Sequence, residues 1–207
     1  MTPEEVKAFE GYKANADKGY REPQYNLGVC YHIGLGVAKD VVEAVKWYRK
    51  ASDKGYVLAH YNLGGCYERG EGVTKDQVEA VKWYRMAADQ GYAPAQFNLG
   101  NFYFNGLGVA KDQVEAVKWY RKAAEQGDAE AQFNLGVCYD EGLGVAKDEV
   151  EAYAYFNLAG VTDELARKNR DMLEKKLSSA AVLRGQQRTK ELQKEIDAKK
   201  AAKKAGK

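Results

Sequence analysis

A 36-residue internal repeat constrains the fold of this chain more than any other feature of its sequence. A Leu-Gly pair recurs four times at this spacing, and a Trp, Trp, Trp, Tyr series recurs in the same register without insertion or deletion. The positions are Leu27-Gly28, Leu63-Gly64, Leu99-Gly100 and Leu135-Gly136, and Trp47, Trp83, Trp119 and Tyr155. Such an array predicts one elongated domain in which each unit buries its apolar face against its neighbours. It offers a long surface rather than an enclosed active-site cavity.

Each copy has the pattern of two helices joined by a glycine-rich turn, so the predicted fold class is all-α. In the second copy, apolar spacing predicts a first helix from Ala59 to about Arg69, which the turn at 70–73 ends. Asp76 is the predicted N-cap of the second helix, and Glu79 would complete a capping box. The same pair recurs as Asp40/Glu43, Asp112/Glu115 and Asp148/Glu151.

The register of the copies divides the chain into segments. An N-terminal half-repeat helix (1–21) precedes four repeats (22–57, 58–93, 94–129 and 130–165), which capping helices (166–197) and a basic tail (198–207) follow. In the half-repeat, 6–20 has the phase of a second helix. At the other end, Thr162 or Asp163 would cap a helix to about Leu177, and Ser178-Ser179 would open a last one through Ile196. The tail is expected to fray.

Small and sulfur-containing residues recur at fixed positions inside the first helix. Gly64 and its equivalents cost helix stability, which predicts a close helix crossing with Ala80 and Ala87 on the facing side. Cysteine recurs at one position, as Cys30, Cys66 and Cys138, where the third copy has Phe102. Repeats stacked about 8–10 Å apart exceed the Cα separation of about 7 Å that a disulfide allows, so buried reduced thiols are predicted. No secretory signal or membrane-spanning run is visible, and a cytoplasmic protein is the expectation.

Charge separates the repeats from the C-terminal region. The net charge is +2, but the region from Asp163 onward holds 14 basic and 7 acidic residues. This basic region could dock an acidic partner, nucleic acid or an anionic membrane. No aromatic residues interleave its lysines, so nucleic acid and membrane are the weaker interpretation, and a solvated capping helix is the simpler one.

Three motifs together resemble the Sel1-like repeat, a relative of the tetratricopeptide repeat. They are Ala-Gln-Phe-Asn-Leu-Gly-Val-Cys-Tyr (131–139), Gly-Leu-Gly-Val-Ala-Lys-Asp (142–148) and Glu-Ala-Val-Lys-Trp-Tyr-Arg-Lys-Ala (115–123). The resemblance implies a right-handed α-solenoid, a tetratricopeptide-like superhelix whose first helices line a concave groove. It also implies an adaptor or scaffold that binds other proteins. Some secreted members are β-lactamase-like and disulfide-rich, and a β-lactamase-like or peptidoglycan-binding relative is a further alternative. One cysteine per repeat at most argues against that branch.

Differences among the copies predict where a partner binds. The varying residues share one stripe of the first helix with an aromatic residue, and in tetratricopeptide-like folds this stripe faces the groove. We expect it to bind a peptide or helix of a protein partner. The partner-binding residues are Tyr25, Val29, His32, Tyr61, Glu68, Arg69, Phe97, Asn101, Phe104, Asn105, Phe133 and Asp140. The aromatic residues could equally pack between adjacent helices, whereas Phe104 favours an exposed contact. The repeated Asn26, Asn62, Asn98 and Asn134 favour a structural hydrogen bond to a neighbouring turn.

The sequence predicts a protein that is not an enzyme and that needs no cofactor or metal. His32 and His60 fall on different faces of different repeats, and no His, Cys and carboxylate set has metal-ligand spacing. A monomer is expected, with a dimer through Leu183, Leu192 and Ile196 of the last helix as the alternative.

Overall fold

The computed structural model describes residues 1–205, and this part of the chain contains eleven α-helices and no strand. The predicted all-α fold class is therefore confirmed. In chain order the helices are α1 (Pro3–Asp17), α2 (Arg21–Ile33), α3 (Val41–Ser52), α4 (Val57–Arg69), α5 (Gln77–Asp89), α6 (Ala93–Asn105), α7 (Gln113–Ala124), α8 (Ala129–Glu141), α9 (Glu149–Ala159), α10 (Glu164–Glu174) and α11 (Ser179–Ala205).

The helices fall into two compact units. Unit 1 comprises Met1–Ala95 and Leu107–Val109, and unit 2 comprises Gln96–Gly106 and Ala110–Lys207. In unit 1, α2 packs on α1 and α3, and α4 packs on α3 and α5. In unit 2, α8 packs on α7 and α9, and α9 also packs on α10 and α11. Contacts between sequence neighbours dominate both units, as a repeat array requires.

The aspartate that precedes each second helix caps it as predicted. The Asp76 carboxylate accepts hydrogen bonds from the backbone amides of Val78 and Glu79, at 2.9 and 3.1 Å. The glutamate does not complete the predicted capping box, because the carboxylate of Glu79 bonds to Lys82 one turn further on. Equivalent pairs join Glu43 to Lys46 and Glu115 to Lys118. A complete capping box is instead present at Thr2 and Glu5, at the start of α1.

The mid-helix glycines lie nearest to an aromatic ring, and Gly28 also lies against the backbone of Ala44, the equivalent of the predicted Ala80. A Cβ atom on Gly64 would lie 2.6 Å from Cδ1 of Tyr84, whose ring is almost fully buried. Gly28, Gly100 and Gly136 meet Tyr48, Tyr120 and Phe156 in the same way. Ala80 and Ala87 are fully buried, but the nearest atoms to a Cβ on Gly64 belong to the Tyr84 ring. The absent side chain therefore makes room for a ring from the second helix of the same repeat.

A buried polar residue near the start of α2, α4 and α8 binds the end of the preceding helix. Nε2 of Gln24 and of Gln132 donates to the carbonyl eight residues earlier, at 3.3 and 3.2 Å. His60 occupies this position in the second repeat, with Nε2 3.2 Å from the carbonyl oxygen of Ser52. Since a carbonyl only accepts, Nε2 carries the proton, and Nδ1 then accepts from Gln90 at 3.0 Å. His60 is thus a structural residue.

The C-terminal helices depart from the predicted ends. Asp163 caps α10, as predicted, but α10 ends at Glu174 rather than near Leu177. The last helix, α11, continues past Ile196 to Ala205, so the tail expected to fray is helical over 198–205. Lys199 explains part of this extension, because its Nζ lies 2.6 Å from Oε2 of Glu125. The remaining tail residues, 206–207, lie outside the described part of the chain.

The cysteines are buried and reduced, as predicted. Cys30, Cys66 and Cys138 are buried free thiols, and Phe102 is buried at the same repeat position. Across residues 1–205, no helix combines the length and the apolar character needed to cross a membrane.

Candidate functional site

The predicted stripe lies on the first helices α2, α4, α6 and α8, and none of its twelve residues is fully buried. Arg69 and Asn105 are exposed, and the other ten are half-buried. Helical spacing puts the aromatic residue and the varying residues of each repeat on neighbouring positions of one helix face. The stripe is therefore accessible, but its character differs from repeat to repeat.

In unit 1 the aromatic residues of the stripe pack against other rings. Tyr25 lies 5.8 Å from the ring of Tyr48 and 5.1 Å from that of Tyr56. Tyr61 has the same relation to Tyr84 and to the tyrosine that precedes α6. Val29 packs on the same apolar cluster as Tyr25. In unit 1, the aromatic residues of the stripe therefore pack between neighbouring helices, which is the alternative to partner binding.

In unit 2 the stripe borders an open cavity of about 280 Å³. Four of the predicted residues line this cavity: Asn101, Phe104, Asn105 and Phe133. The other lining residues are Tyr120, Asn134, Val137 and Cys138. The ring of Phe104 lies 6.3 Å from that of Tyr120, which forms the wall on the second-helix side. This cavity is where the structure brings the largest group of predicted residues together.

Hydrogen bonds fix the polar side of this cavity. Oδ1 of Asn101 accepts from the Tyr120 hydroxyl at 2.7 Å and from Nδ2 of Asn134 at 3.2 Å. Nδ2 of Asn105 donates to the backbone carbonyl of Asn101 at 2.9 Å. Both lone pairs of the Asn101 oxygen are used, so this side chain can offer a ligand only its N–H groups. Asn105 retains its amide oxygen as an acceptor.

Two of the four repeated asparagines, Asn62 and Asn134, make structural hydrogen bonds, but not to a turn. Nδ2 of Asn62 lies 3.5 Å from the hydroxyl of Tyr25, and Asn134 bonds to Asn101, so each reaches the first helix of the preceding repeat. Burial raises the pKa of Tyr120, while the nearby Asn134 amide opposes that shift. The predicted structural role is retained, and the partner is a side chain rather than a turn.

The C-terminal helices cover part of the fourth repeat. Phe133 and Val137 pack on a cluster that contains Leu173 of α10. Asp140 lines a second cavity, of about 180 Å³, together with Asn169 and Lys176 from the region of α10. Because α10 borders this end of the stripe, Asp140 is less open to a partner than the sequence predicted.

Several basic and apolar groups of the C-terminal region are used inside unit 2. Nε of Arg188 lies 2.7 Å from Oε1 of Glu151, and Lys199 pairs with Glu125. Leu192 and Ile196, two residues of the alternative dimer face, are buried. Leu183 is exposed over 66% of its surface. Packing of α11 on α9 therefore occupies most of the apolar face that a dimer through this helix would need.

The polar part of the stripe in unit 1 forms a different arrangement. Glu68 accepts a hydrogen bond of 2.5 Å from the Tyr84 hydroxyl. Arg69 pairs with Glu71 at 2.9 Å, and this contact lowers the pKa of Glu71. Nε2 of His32 lies 3.4 Å from the same carboxylate. Variation among the first helices does not reveal Glu71, because this residue lies in a turn, where the other three copies have leucine.

Comparisons with known proteins agree with the repeat architecture. The Sel1 repeat model matches four consecutive segments, residues 24–56, 57–92, 93–128 and 129–160. No curated protein reaches the level of similarity that counts as a match.

Solved structures share the fold with substantial sequence identity. A protective antigen of uropathogenic Escherichia coli that displays an SLR fold is 34% identical, with a TM-score of 0.82 over 94% of this chain and 41% of that protein. A Sel1 repeat protein from Oxalobacter formigenes is 37% identical, with a TM-score of 0.73 over 80% of this chain and 66% of that protein. Cysteine rich protein B of Helicobacter pylori is 27% identical, with a TM-score of 0.50, over 63% of this chain and 94% of that protein. The chain thus spans less than two thirds of the first two relatives. With four matched repeats over more than half of its length, the chain belongs to the Sel1 repeat family.

Proposed function

We propose that this protein is a binding scaffold that holds a segment of a partner protein against its first-helix stripe, with the strongest contact at the cavity of unit 2. The observation that carries the proposal is the composition of that cavity, in which an aromatic ring and two amides stand at positions that differ among the repeats. Residues that vary between otherwise uniform copies are not required by the repeat fold. They are available for recognition.

The size of the cavity favours a protein ligand. Sites for small molecules and cofactors usually measure about 300–1,000 Å³ and enclose most of the ligand. A cavity of about 280 Å³ that opens to solvent instead suits one large side chain of a longer partner. Phe104 and Phe133 would contact that side chain, because both rings are half-buried at its edge.

The two amides favour an extended peptide. Asn101 can offer N–H donors and Asn105 can offer an acceptor, and a peptide group needs one of each. Together they would bond to the main chain of the partner, while the cavity selects one of its side chains. Main-chain hydrogen bonds that give affinity and pockets that select side chains are commonly combined in peptide recognition.

Binding should depend on Phe104 and not on the opposite face of the unit. The equivalent positions hold His32, Glu68 and Asp140, so Phe104→Asp is compatible with the fold. Loss of a central aromatic contact typically costs about 2 kcal/mol or more, which corresponds to about thirty-fold weaker binding. Val114→Asp is the matched control, because Val114 is 54% exposed on α7 and lies outside the cavity.

The assay is capture of partners from the native lysate with the wild type, Phe104→Asp and Val114→Asp, followed by affinity measurements on each captured protein. We expect Phe104→Asp to lose the specific partner and Val114→Asp to retain it. Combining Phe104→Asp with Tyr61→Ala tests the stripe in both units. Unchanged capture by this double variant would refute binding through the stripe.

We further propose that the protein is not an enzyme and works in a reducing compartment such as the cytoplasm. Support for the first point is that the cavity holds amide and aromatic groups, with no acid, base or activated nucleophile among its lining residues. The second is supported by three buried free thiols in the described chain.

A further inference from the structure

Three side chains of metal-ligand type meet in unit 1. They are His32 on α2, Cys66 on α4, and Glu71 in the turn after α4. One ligand atom from each, an imidazole nitrogen, the thiol sulfur and a carboxylate oxygen, lies within 4.8 Å of the other two. The sequence analysis did not find this set, because 39 residues separate its first and last members and no local spacing joins them.

One of the three residues, Glu71, departs from the repeat, and His32 stands at a position that differs in every copy. At the position of Glu71 the other turns have leucine, and at the position of His32 the other first helices have Glu, Phe and Asp. The cysteine belongs to the repeat, since Cys30 and Cys138 occupy its position elsewhere. A residue particular to the first repeat and one departure from the turn consensus in the second thus meet at one thiol.

The backbone holds two of the ligands at a short separation. Gly70 ends α4 in the left-handed conformation, with φ of 74°. The amides of Gly70 and Glu71 both donate to the carbonyl of Cys66, at 2.8 and 2.9 Å. This turn returns the chain over the last turn of α4, and the Glu71 carboxylate comes to lie near the sulfur as a result.

We propose that His32, Cys66 and Glu71 form a binding site for a divalent transition-metal ion, with Zn²⁺ as the best match. Thiolate, imidazole and carboxylate are the three protein ligands of Zn²⁺, and three of them leave a fourth position for water or a partner's side chain. Magnesium and calcium take oxygen ligands and would not use the thiol.

The geometry requires only local movement. Tetrahedral Zn²⁺ with these ligands puts donor atoms about 3.3–3.8 Å apart, given bond lengths of about 2.0–2.3 Å. His32 and Glu71 are already 3.4 Å apart, so the sulfur is the donor to be approached. Their side chains are 22% and 38% exposed, which gives the ion a path to the buried Cys66.

Neighbouring groups set the expected affinity. Arg69 donates to Oε2 of Glu71 at 2.9 Å, so it orients the carboxylate but also competes for its charge. Nδ1 of His32 is buried and has no hydrogen-bond partner within residues 1–205. Metal-bound histidines usually donate this second nitrogen to a carbonyl or carboxylate, and losing such support weakens binding about 10–100-fold. We therefore expect a site that is weaker than fully supported structural zinc sites.

The test is titration of the reduced full chain with Zn²⁺ against a chromophoric chelator, and with Co²⁺ as a spectroscopic probe. Cys66→Ala and Cys138→Ala are a matched pair, because both remove a buried free thiol at the same repeat position. Glu71→Leu restores the residue of the other three turns and should fold normally. Circular dichroism of each variant confirms that it is folded.

We expect one Zn²⁺ per chain and a thiolate-to-Co²⁺ charge-transfer band in the near ultraviolet. Glu71→Leu and Cys66→Ala should each weaken Zn²⁺ binding by about tenfold or more, and Cys66→Ala should abolish the band. Cys138→Ala should leave both unchanged. Equal Zn²⁺ affinity in wild type and Glu71→Leu, or the absence of a charge-transfer band, would show that the three residues form only an ion-pair cluster beside a buried thiol. That result would overturn the proposal.

Discussion

Alanine substitution of two adjacent glycines in α4 should have opposite effects on stability. A Cβ atom on Gly64 would lie 2.6, 2.7 and 3.0 Å from three ring atoms of Tyr84. On Gly65 its three nearest neighbours would be guanidinium atoms of Arg69, at 3.0–3.4 Å. The Tyr84 ring is buried and its hydroxyl is bonded to Glu68, so it cannot move freely. Arg69 is a flexible side chain, 53% exposed, and can move away.

The magnitude follows from two opposing contributions. Replacing a glycine inside a helix by alanine gains about 1 kcal/mol at either position. Overpacking against a fixed neighbour costs about 1–3 kcal/mol, and an overlap of this depth with a buried ring belongs at the upper end. Gly64→Ala should therefore destabilise the protein by about 2 kcal/mol. Gly65→Ala should be neutral or stabilise it by up to about 1 kcal/mol.

Thermal unfolding followed by far-ultraviolet circular dichroism measures this difference. For a chain of about 200 residues, 2 kcal/mol lowers the unfolding midpoint by about 4–8 °C. Gly65→Ala controls for helix propensity, because it lies in the same turn of the same helix. If Gly64→Ala unfolded at or above the temperature of Gly65→Ala, the ring contact would not be what requires the repeated glycine.

Three further predictions test other contacts. Burial lowers the pKa of His60, so protonation of this residue favours the unfolded state. The free energy of unfolding should therefore fall as the pH drops below about 6.5. Urea unfolding at pH 7 and pH 5 should show a smaller fall for His60→Gln than for the wild type. Asp112→Ala removes the cap bond to Glu115 and should cost about 1 kcal/mol in the same assay, and no change would refute the capping role. Ile196→Ala should destabilise the packing of α11 by about 2–3 kcal/mol, whereas Leu183→Ala, at an exposed position, should change stability by less than about 0.5 kcal/mol.

The repeat made the helices predictable because their signals are local. Apolar spacing, a capping aspartate and a terminating glycine all lie within one or two turns of the helix that they define. Helix α5 runs from Gln77 to Asp89, directly after the predicted cap at Asp76. Four copies of the same signals also reduce the effect of any single ambiguous residue.

The errors concern contacts that join distant parts of the sequence. The glycine at 64 indicated a close approach, but periodicity could not distinguish a facing alanine from the ring of Tyr84, since both lie on the second helix. The extension of α11 to Ala205 includes an ion pair between Lys199 and Glu125, which are 74 residues apart. No local sequence pattern in the tail predicts that Lys199 pairs with Glu125.

The structure brings together part of the predicted stripe and separates the rest. Comparing the copies identified Asn101, Phe104 and Asn105 as residues that the fold does not require, and the structure places all three at one cavity. The same comparison could not show that rings elsewhere on the stripe pack against Tyr56 or that α10 borders Asp140. Both contacts depend on which helices pack next to each repeat, and comparing the copies does not give that information.

Site-specific photo-crosslinking tests the central claim, that residues which vary among the repeats bind the partner, most directly. A photoreactive amino acid is placed at Asn105, an exposed residue beside the cavity, and in a second protein at Val114 on the outer side of α7. The account predicts a partner adduct from position 105 and none from position 114. Adducts from position 114 alone would contradict it, because the partner would then bind the face that is uniform among the first three repeats.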